Sequence, residues 1–293
     1  MELQPQLHGD TQHVSARTWQ PVRPEDCIQL TDARLQLHYA AQFAAAAGIS
    51  FLSPQADDSH TNLEWFPALA GLFSRWIPAP TQFRLGVTPA DLTLHIVTEG
   101  TRTRASYKLH GKTIVDALQW IRDEIAQLGV DPTRYSLKRH YEIPDHDVAI
   151  GESFDVSDRA HYAQVTRWFS NGSLIVNSIA RTARKATDVR CWPHHFDIAT
   201  LIEITSDRTI GVGFEPGDDY YDEPYFYVNM TPQPSAAQAR LRPLWGRGTW
   251  HTDEWIGAVL PGSRLGAASM QEEQVREFVD SAISACRGLS IQS

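Results

Sequence analysis

The chain has 293 residues, 42% of them hydrophobic and 21% charged, which suits one globular domain with a substantial core. Its formal net charge of −9 argues against nucleic acid as a partner, because phosphate binding needs a positive surface. Three widely spaced cysteines, Cys27, Cys191 and Cys286, make no disulfide framework. The lack of a basic, apolar leader and of about 18 consecutive apolar residues points to a cytoplasmic protein with no membrane partner.

Residues 1–26 are polar, bear Pro5, Pro21 and Pro24, and read as an irregular arm. The alanine-rich stretch 30–47 predicts a helix ending at Gly48. A polar loop over 53–62 leads into the aromatic segment Leu63-Glu64-Trp65-Phe66. Strands are expected over 83–87 and 92–98, interrupted at Pro89, and over 102–109 beyond a turn at Gly100. Ile114, Val115, Leu118, Ile121, Ile125 and Leu128 recur at helical spacing until Gly129 and Pro132. After an acidic loop over 139–157, Asp158 starts a helix through Trp168. Asn171-Gly172 breaks it before a second piece over 175–184. Strands over 198–204, 209–215 and 225–230 follow, then an irregular stretch 231–248, a last strand over 250–260 and an amphipathic helix over 271–286.

No internal repeat shows. The order of helix, strands, two helices, strands and helix predicts an α+β fold, mainly an antiparallel sheet with helices packed on one face. It is organised as one domain over 1–293. Residues 1–78 form a helical N-terminal part with the irregular arm, 79–230 the α+β core, and 231–293 a C-terminal strand and helix.

The densest chemistry lies at Cys191-Trp192-Pro193-His194-His195-Phe196-Asp197 and in the hairpin after it. With a loop at Ser206-Asp207-Arg208, Thr205 lies opposite Thr209. One face then pairs Ile204 with Ile210, Ile202 with Val212 and Thr200 with Phe214, and is almost wholly apolar. The other pairs Leu201 with Gly213 and Ala199 with Glu215. The next strand adds Tyr225, Tyr227 and Asn229 to that second face. If the first strand begins early, His195 joins Asp197 there while His194 turns away. Gly211 and Gly213 leave room for a ligand, and the loop Gly217–Pro224 forms a rim. An imidazole, two carboxylates and two phenols around small residues have the composition of a site floor.

Two chemistries fit. His195, poised by Asp197, acts as a general acid or base with Glu215 as a second such group. Gly211, Gly213, Tyr225, Tyr227, Asn229 and Trp192 then bind substrate. Alternatively His195, Asp197 and Glu215 hold a divalent metal through mixed N and O ligands; no other cofactor is implied. Against both stands a structural role, in which Trp245, Trp250 and Trp255 cover this face and its polar groups satisfy one another. Weaker candidates are the loop Asp57–Asn62, as a lid or a donor of His60, a His140/His146 metal pair, and an anion site at Arg181, Arg184 and Lys185. Cys191 lacks an obvious activating base. There is no G-x-S-x-G elbow and no Walker A loop.

At Trp192-Pro-His-His-Phe-Asp-Ile-Ala199, Gly213-Phe-Glu-Pro-Gly217 and Glu223-Pro-Tyr-Phe-Tyr-Val228 the chain resembles a bacterial family of uncharacterised proteins, a domain of unknown function. That family carries Phe-Asp-Leu-Ala, Gly-Phe-x-Pro-Gly and Phe-Tyr-x-Tyr patterns. The resemblance covers roughly residues 80–230, with a helix ending in Leu128-Gly129 and an acidic loop near Asp155. It implies a shared fold and a shared polar hotspot, not a reaction. The expected function is a small-molecule enzyme with hydrolase- or lyase-like acid–base chemistry. The alternative is a non-catalytic small-molecule-binding or accessory protein. Nothing in the sequence sets an oligomeric state.

Overall fold

The computed structural model describes residues 18–234 and 241–289. Most of the arm expected over 1–26 and part of the irregular stretch 231–248 lie outside the described residues. The chain runs through α1 (Thr31–Phe51), β1 (Glu64–Phe66), β2 (Gly71–Phe73), β3 (Arg84–Thr88), β4 (Thr93–Glu99), β5 (Arg102–Lys108) and α2 (Ile114–Ala126). It continues through α3 (Arg159–Thr182), β6 (Arg190–Cys191), β7 (Ile198–Thr205), β8 (Arg208–Glu215), β9 (Tyr225–Thr231), β10 (Thr249–His251), β11 (Gly257–Pro261) and α4 (Gln271–Gly288).

The fold is α+β and antiparallel throughout, but it holds two sheets rather than one. The first has the order β1-β2-β3-β4-β5, the second β10-β11-β9-β8-β7-β6. The same outline therefore occurs twice: a long helix, an antiparallel sheet, a closing helix; the first sheet is a simple meander, whereas in the second β11 lies between β9 and β10. The two sheets meet where Leu63 and Cys191 exchange both backbone hydrogen bonds at 2.8 Å. Strands β1 and β2 lie before residue 78, so that stretch is not purely helical. The expected last strand over 250–260 is instead the hairpin β10–β11.

Helix α1 is buried on nearly every side from Ala33 to Gly48, the pattern of a central helix. It does not stop at Gly48. That glycine lets the helix approach the His60 carbonyl, which a Cβ would strike. Helix α3 likewise runs unbroken through Asn171-Gly172. The Asn171 side chain accepts from Gln20 N at 2.8 Å and donates to Gln20 O at 2.7 Å, and a Cβ at Gly172 would collide with the Phe214 ring. Tertiary partners select both residues and override their low helix propensity.

The second sheet lays its apolar face on α3 and α4. Ile198, Phe214 and Phe226 form one row across β7, β8 and β9; Thr200, Val212 and Val228 form the next. Trp168 of α3 stacks on Phe214 with ring centroids 6.0 Å apart. The hairpin is tighter than expected. Thr205 pairs with Arg208, and a bulge between Glu203 and Thr205 brings Ile202 opposite Ile210 and Leu201 opposite Gly211. Relative to the expected pairing the register moves by two residues. Side chains alternate with period two, so every residue keeps its face.

Candidate functional site

The face of the second sheet turned away from α3 and α4 carries three rows: Asp197, Glu215 and Tyr225, then Ala199, Gly213 and Tyr227, then Leu201, Gly211 and Asn229. A cavity of about 300 Å³ opens over it. It is lined by His195, Asp197, Glu215, Asp218, Tyr220, Tyr225, Tyr227, Asn229, Gln233 and Trp255.

His195 reaches Asp197 by a turn rather than by an early strand. Phe196 N donates to Trp192 O at 2.6 Å and Trp192 N to Asp197 O at 3.0 Å. Phe196 itself adopts φ +74, a left-handed conformation costing about 1–2 kcal/mol for a bulky residue. Packing from both central helices holds it there. The His38 ring of α1 stacks on the Phe196 ring at 4.3 Å, and Phe169 of α3 lies 5.1 Å from it. His38 Nε2 also meets Pro193 O at 2.8 Å. Burial lowers the His38 imidazole to about 4, so it packs as a neutral ring that donates to Pro193.

The two carboxyls on the floor are unequal. Tyr227 donates its hydroxyl to Asp197 Oδ2. Burial raises the Asp197 carboxyl, while the Tyr227 hydrogen bond and nearby His195 pull it back. Glu215 is raised well above the usual carboxylate range by burial, then by Asp197 and Asp218; Arg34 opposes this only weakly. Of the two, Glu215 holds its proton the more firmly, and Asp197, with Tyr227 and His195 opposing its shift, is the one favoured as the anion. Asp197 Oδ1 and Glu215 Oε1 are both sealed from solvent, with no hydrogen-bond partner among the described residues. Burial and the same carboxylates keep the Tyr227 phenol protonated.

Arg34, 7% exposed on α1, secures the rim by donating to Gly217 O and to Asp222 Oδ1, the latter at 2.9 Å. In the same loop Asp218 accepts from Tyr220 N and Tyr221 N at 2.9 Å and from the Tyr225 hydroxyl at 2.7 Å. Trp255 and Tyr220 form an aromatic wall, with ring centroids 5.9 Å apart. Among the described residues, no lysine or arginine lines the cavity.

Several expectations change. Gly211 and Gly213 are not open floor. The space before Gly213 is filled by the Tyr227 ring, and that before Gly211 by the Asn229 amide. The glycines thus let side chains of β9 lie flat and reach Asp197. Trp192 does not line the cavity; its ring stands 6.2 Å from His194. His194 belongs to a neighbouring cluster, 5.6 Å from the Tyr141 ring, and burial and His195 lower it to about 4. Of the three tryptophans expected to cover the face, Trp255 lines the cavity. Trp250 packs against the core and Trp245 is exposed.

Among the described residues, no group of three or more His, Cys, Asp or Glu side chains is placed to hold a metal ion. The metal alternative at His195, Asp197 and Glu215 loses its geometry, since Tyr227 occupies Asp197 Oδ2 and His195 stands exposed at the mouth. His140 and His146 pair separately with Asp58 at 3.0 Å and Asp32 at 3.1 Å. The loop at Asp57–Asn62 turns on Asp57 and buries His60, whose Nδ1 accepts from Gln55 N, so it forms no lid. Lys185 is engaged by Glu203. Cys191 is fully buried, and its thiol is pushed far up by burial, Asp197 and Glu215, which removes it as a nucleophile.

Sequence reasoning missed Arg34 and Gln233 in this neighbourhood. No family model, curated protein or solved structure matches the chain. Among the described residues, no helix is long and apolar enough to cross a membrane.

Proposed function

We propose that the protein is a cytosolic small-molecule enzyme performing acid–base chemistry of the hydrolase or lyase type. The observation that carries this reading is the pair of buried, unequal carboxyls at the base of an aromatic-walled cavity. Glu215 is the acid, donating a proton to a leaving group. Asp197 is the base, taking one from water or from a carbon acid.

Tyr227 orients Asp197, and Tyr225 and Asn229 position substrate. His195 exchanges protons with solvent at the mouth. With three carboxyls and no lysine or arginine among its described lining residues, the cavity favours neutral or cationic substrates. The segments that resemble the family of uncharacterised proteins surround this cavity, which supports reading that family as built on the same site.

Two measurements test the proposal. Carbon-13 NMR of carboxyl-labelled protein is expected to show one buried carboxyl still protonated at neutral pH, with its signal lost in Glu215→Gln. A panel of esters, amides, glycosides and dehydratable hydroxy compounds is expected to yield turnover that both Asp197→Asn and Glu215→Gln remove. A ligand that binds the cavity but turns over in neither protein moves the reading to a binding protein. Turnover that persists in both variants rejects it.

A further inference from the structure

A second cavity, of about 310 Å³, lies beside the junction of the two sheets and is lined by Asn62, Glu64, Arg75, Trp76, Arg84 and Arg190 among others. In a chain with 26 basic and 35 acidic residues, three guanidinia converge on one wall. Each is tethered. Arg84, 6% exposed, donates from Nε to Ser74 O at 2.6 Å and from Nη2 to Glu64 Oε2 at 2.7 Å. Its guanidinium lies 5.5 Å from the Trp76 ring centroid. Arg190 is held by Asp188 at 2.9 Å and Arg75 by Ser59 O at 3.1 Å. A guanidinium has five N–H donors, so these contacts fix the groups and leave donors over.

Two further polar groups are buried here without partners among the described residues: the Asn62 side-chain oxygen and the Trp65 indole N–H. Trp65 lines an adjoining cavity of about 280 Å³ that shares Glu64 and Arg190 with the first. The groove therefore combines pre-positioned cations, an aromatic wall at Trp76 and unsatisfied donor and acceptor capacity.

We infer that this groove binds a small organic monoanion, a carboxylate on an aromatic or apolar body. Planar guanidinium forks match a planar carboxylate, and Trp76 and Leu52 supply an apolar wall. Glu64 and the neighbouring Asp188 offset part of the positive charge, so a single negative charge is balanced better than a phosphate dianion. The inference stands apart from the acid–base reading, because the two cavities share no lining residue.

The test titrates the purified full chain with benzoate, its neutral analogue benzamide and inorganic phosphate. Calorimetry is read beside the indole N–H signals in NMR, with Trp76→Phe assigning the signal of Trp76. Benzoate is expected to bind, to shift the Trp76 signal and to weaken as salt rises; benzamide is expected not to bind. Arg75→Ala removes an exposed side chain and is expected to keep the thermal midpoint while raising the benzoate Kd roughly tenfold. Arg190→Gln is expected to act in the same direction. Equal binding of benzamide, affinities unchanged in both variants, or no benzoate binding overturns the inference. Phosphate binding more tightly than benzoate overturns the carboxylate assignment.

Discussion

In the acidic cavity Asp197 and Glu215 are buried with no lysine or arginine among the described lining residues, whereas in the arginine groove Glu64 stands between two guanidinia. The same kind of side chain therefore carries opposite energetic meaning. At Glu215 ionisation is opposed by burial and by two neighbouring carboxyls; at Glu64 the charge is what allows Arg84 to be buried. A carboxyl kept from ionising is a store of proton-donating capacity, and a carboxylate that neutralises a buried cation is scaffolding. On the proposed readings, the first arrangement sacrifices stability for chemistry, and the second gives a rigid frame for a ligand.

The largest expected effect separates the two cavities. Asp197→Asn and Glu215→Gln each lower turnover by about 10²–10⁴, the range of a positioned acid or base, while benzoate affinity stays within about twofold. If benzoate binding falls with turnover, the cavities are one site and the comparison breaks.

A smaller effect concerns His38, which packs from α1 against the turn leading to the acidic cavity. His38 accepts a proton near its ordinary value of 6.5 in the unfolded chain but only near about 4 when folded. Protons therefore favour unfolding in that window. Its contribution to stability is complete above pH 6.5, falls as the pH drops toward 4, and is constant below. The shift corresponds to ~3 kcal/mol, readable by urea denaturation across that range. His38→Gln keeps a donor for Pro193 O and flattens the slope; a slope unchanged in that variant assigns the acid sensitivity elsewhere.

The smallest effects sharpen the contrast most directly, because one substitution reverses its sign. Glu215→Gln is expected to stabilise the protein at neutral pH by on the order of 1–2 kcal/mol, since it removes a buried group that ionises only at a cost. The folded group is raised above its ordinary value of 4.5. The advantage therefore appears as the pH rises beyond 4.5 and vanishes below it. Glu64→Gln is expected to destabilise by ~1 kcal/mol, by leaving Arg84 without its partner. Thermal melts of both variants at neutral pH decide the matter. Two shifts of the same sign remove the distinction between the cavities.

Which features were legible in the sequence follows from the range of the interactions behind them. The faces of β7, β8 and β9 needed only the period-two alternation, and that survives a register moved by two residues. It placed Asp197, Glu215, Tyr225, Tyr227 and Asn229 on one side of the sheet. What fills the space before Gly213 was not legible, because a glycine makes room equally for a ligand and for a neighbour such as Tyr227. The continuity of α3 depends on Gln20, 151 positions from Asn171, so local propensity favoured a break. The two-residue β6 is too short to show any period. Arg34, Arg75, Arg84 and Arg190 come from four separate segments, and no local pattern announces that three of them meet in a groove.

The exchange of hydrogen bonds between Leu63 and Cys191 bears on how the chain avoids self-association. Strands β1 and β6 each lie at the margin of their own sheet, where unpaired backbone groups invite another chain to add a strand. At Leu63 and Cys191 each margin blunts the other. Separating the two halves would free both at once. The two halves, although built on one plan, are thus poor candidates for separate expression: each would carry an open edge into solution and aggregate through it unless its counterpart were present.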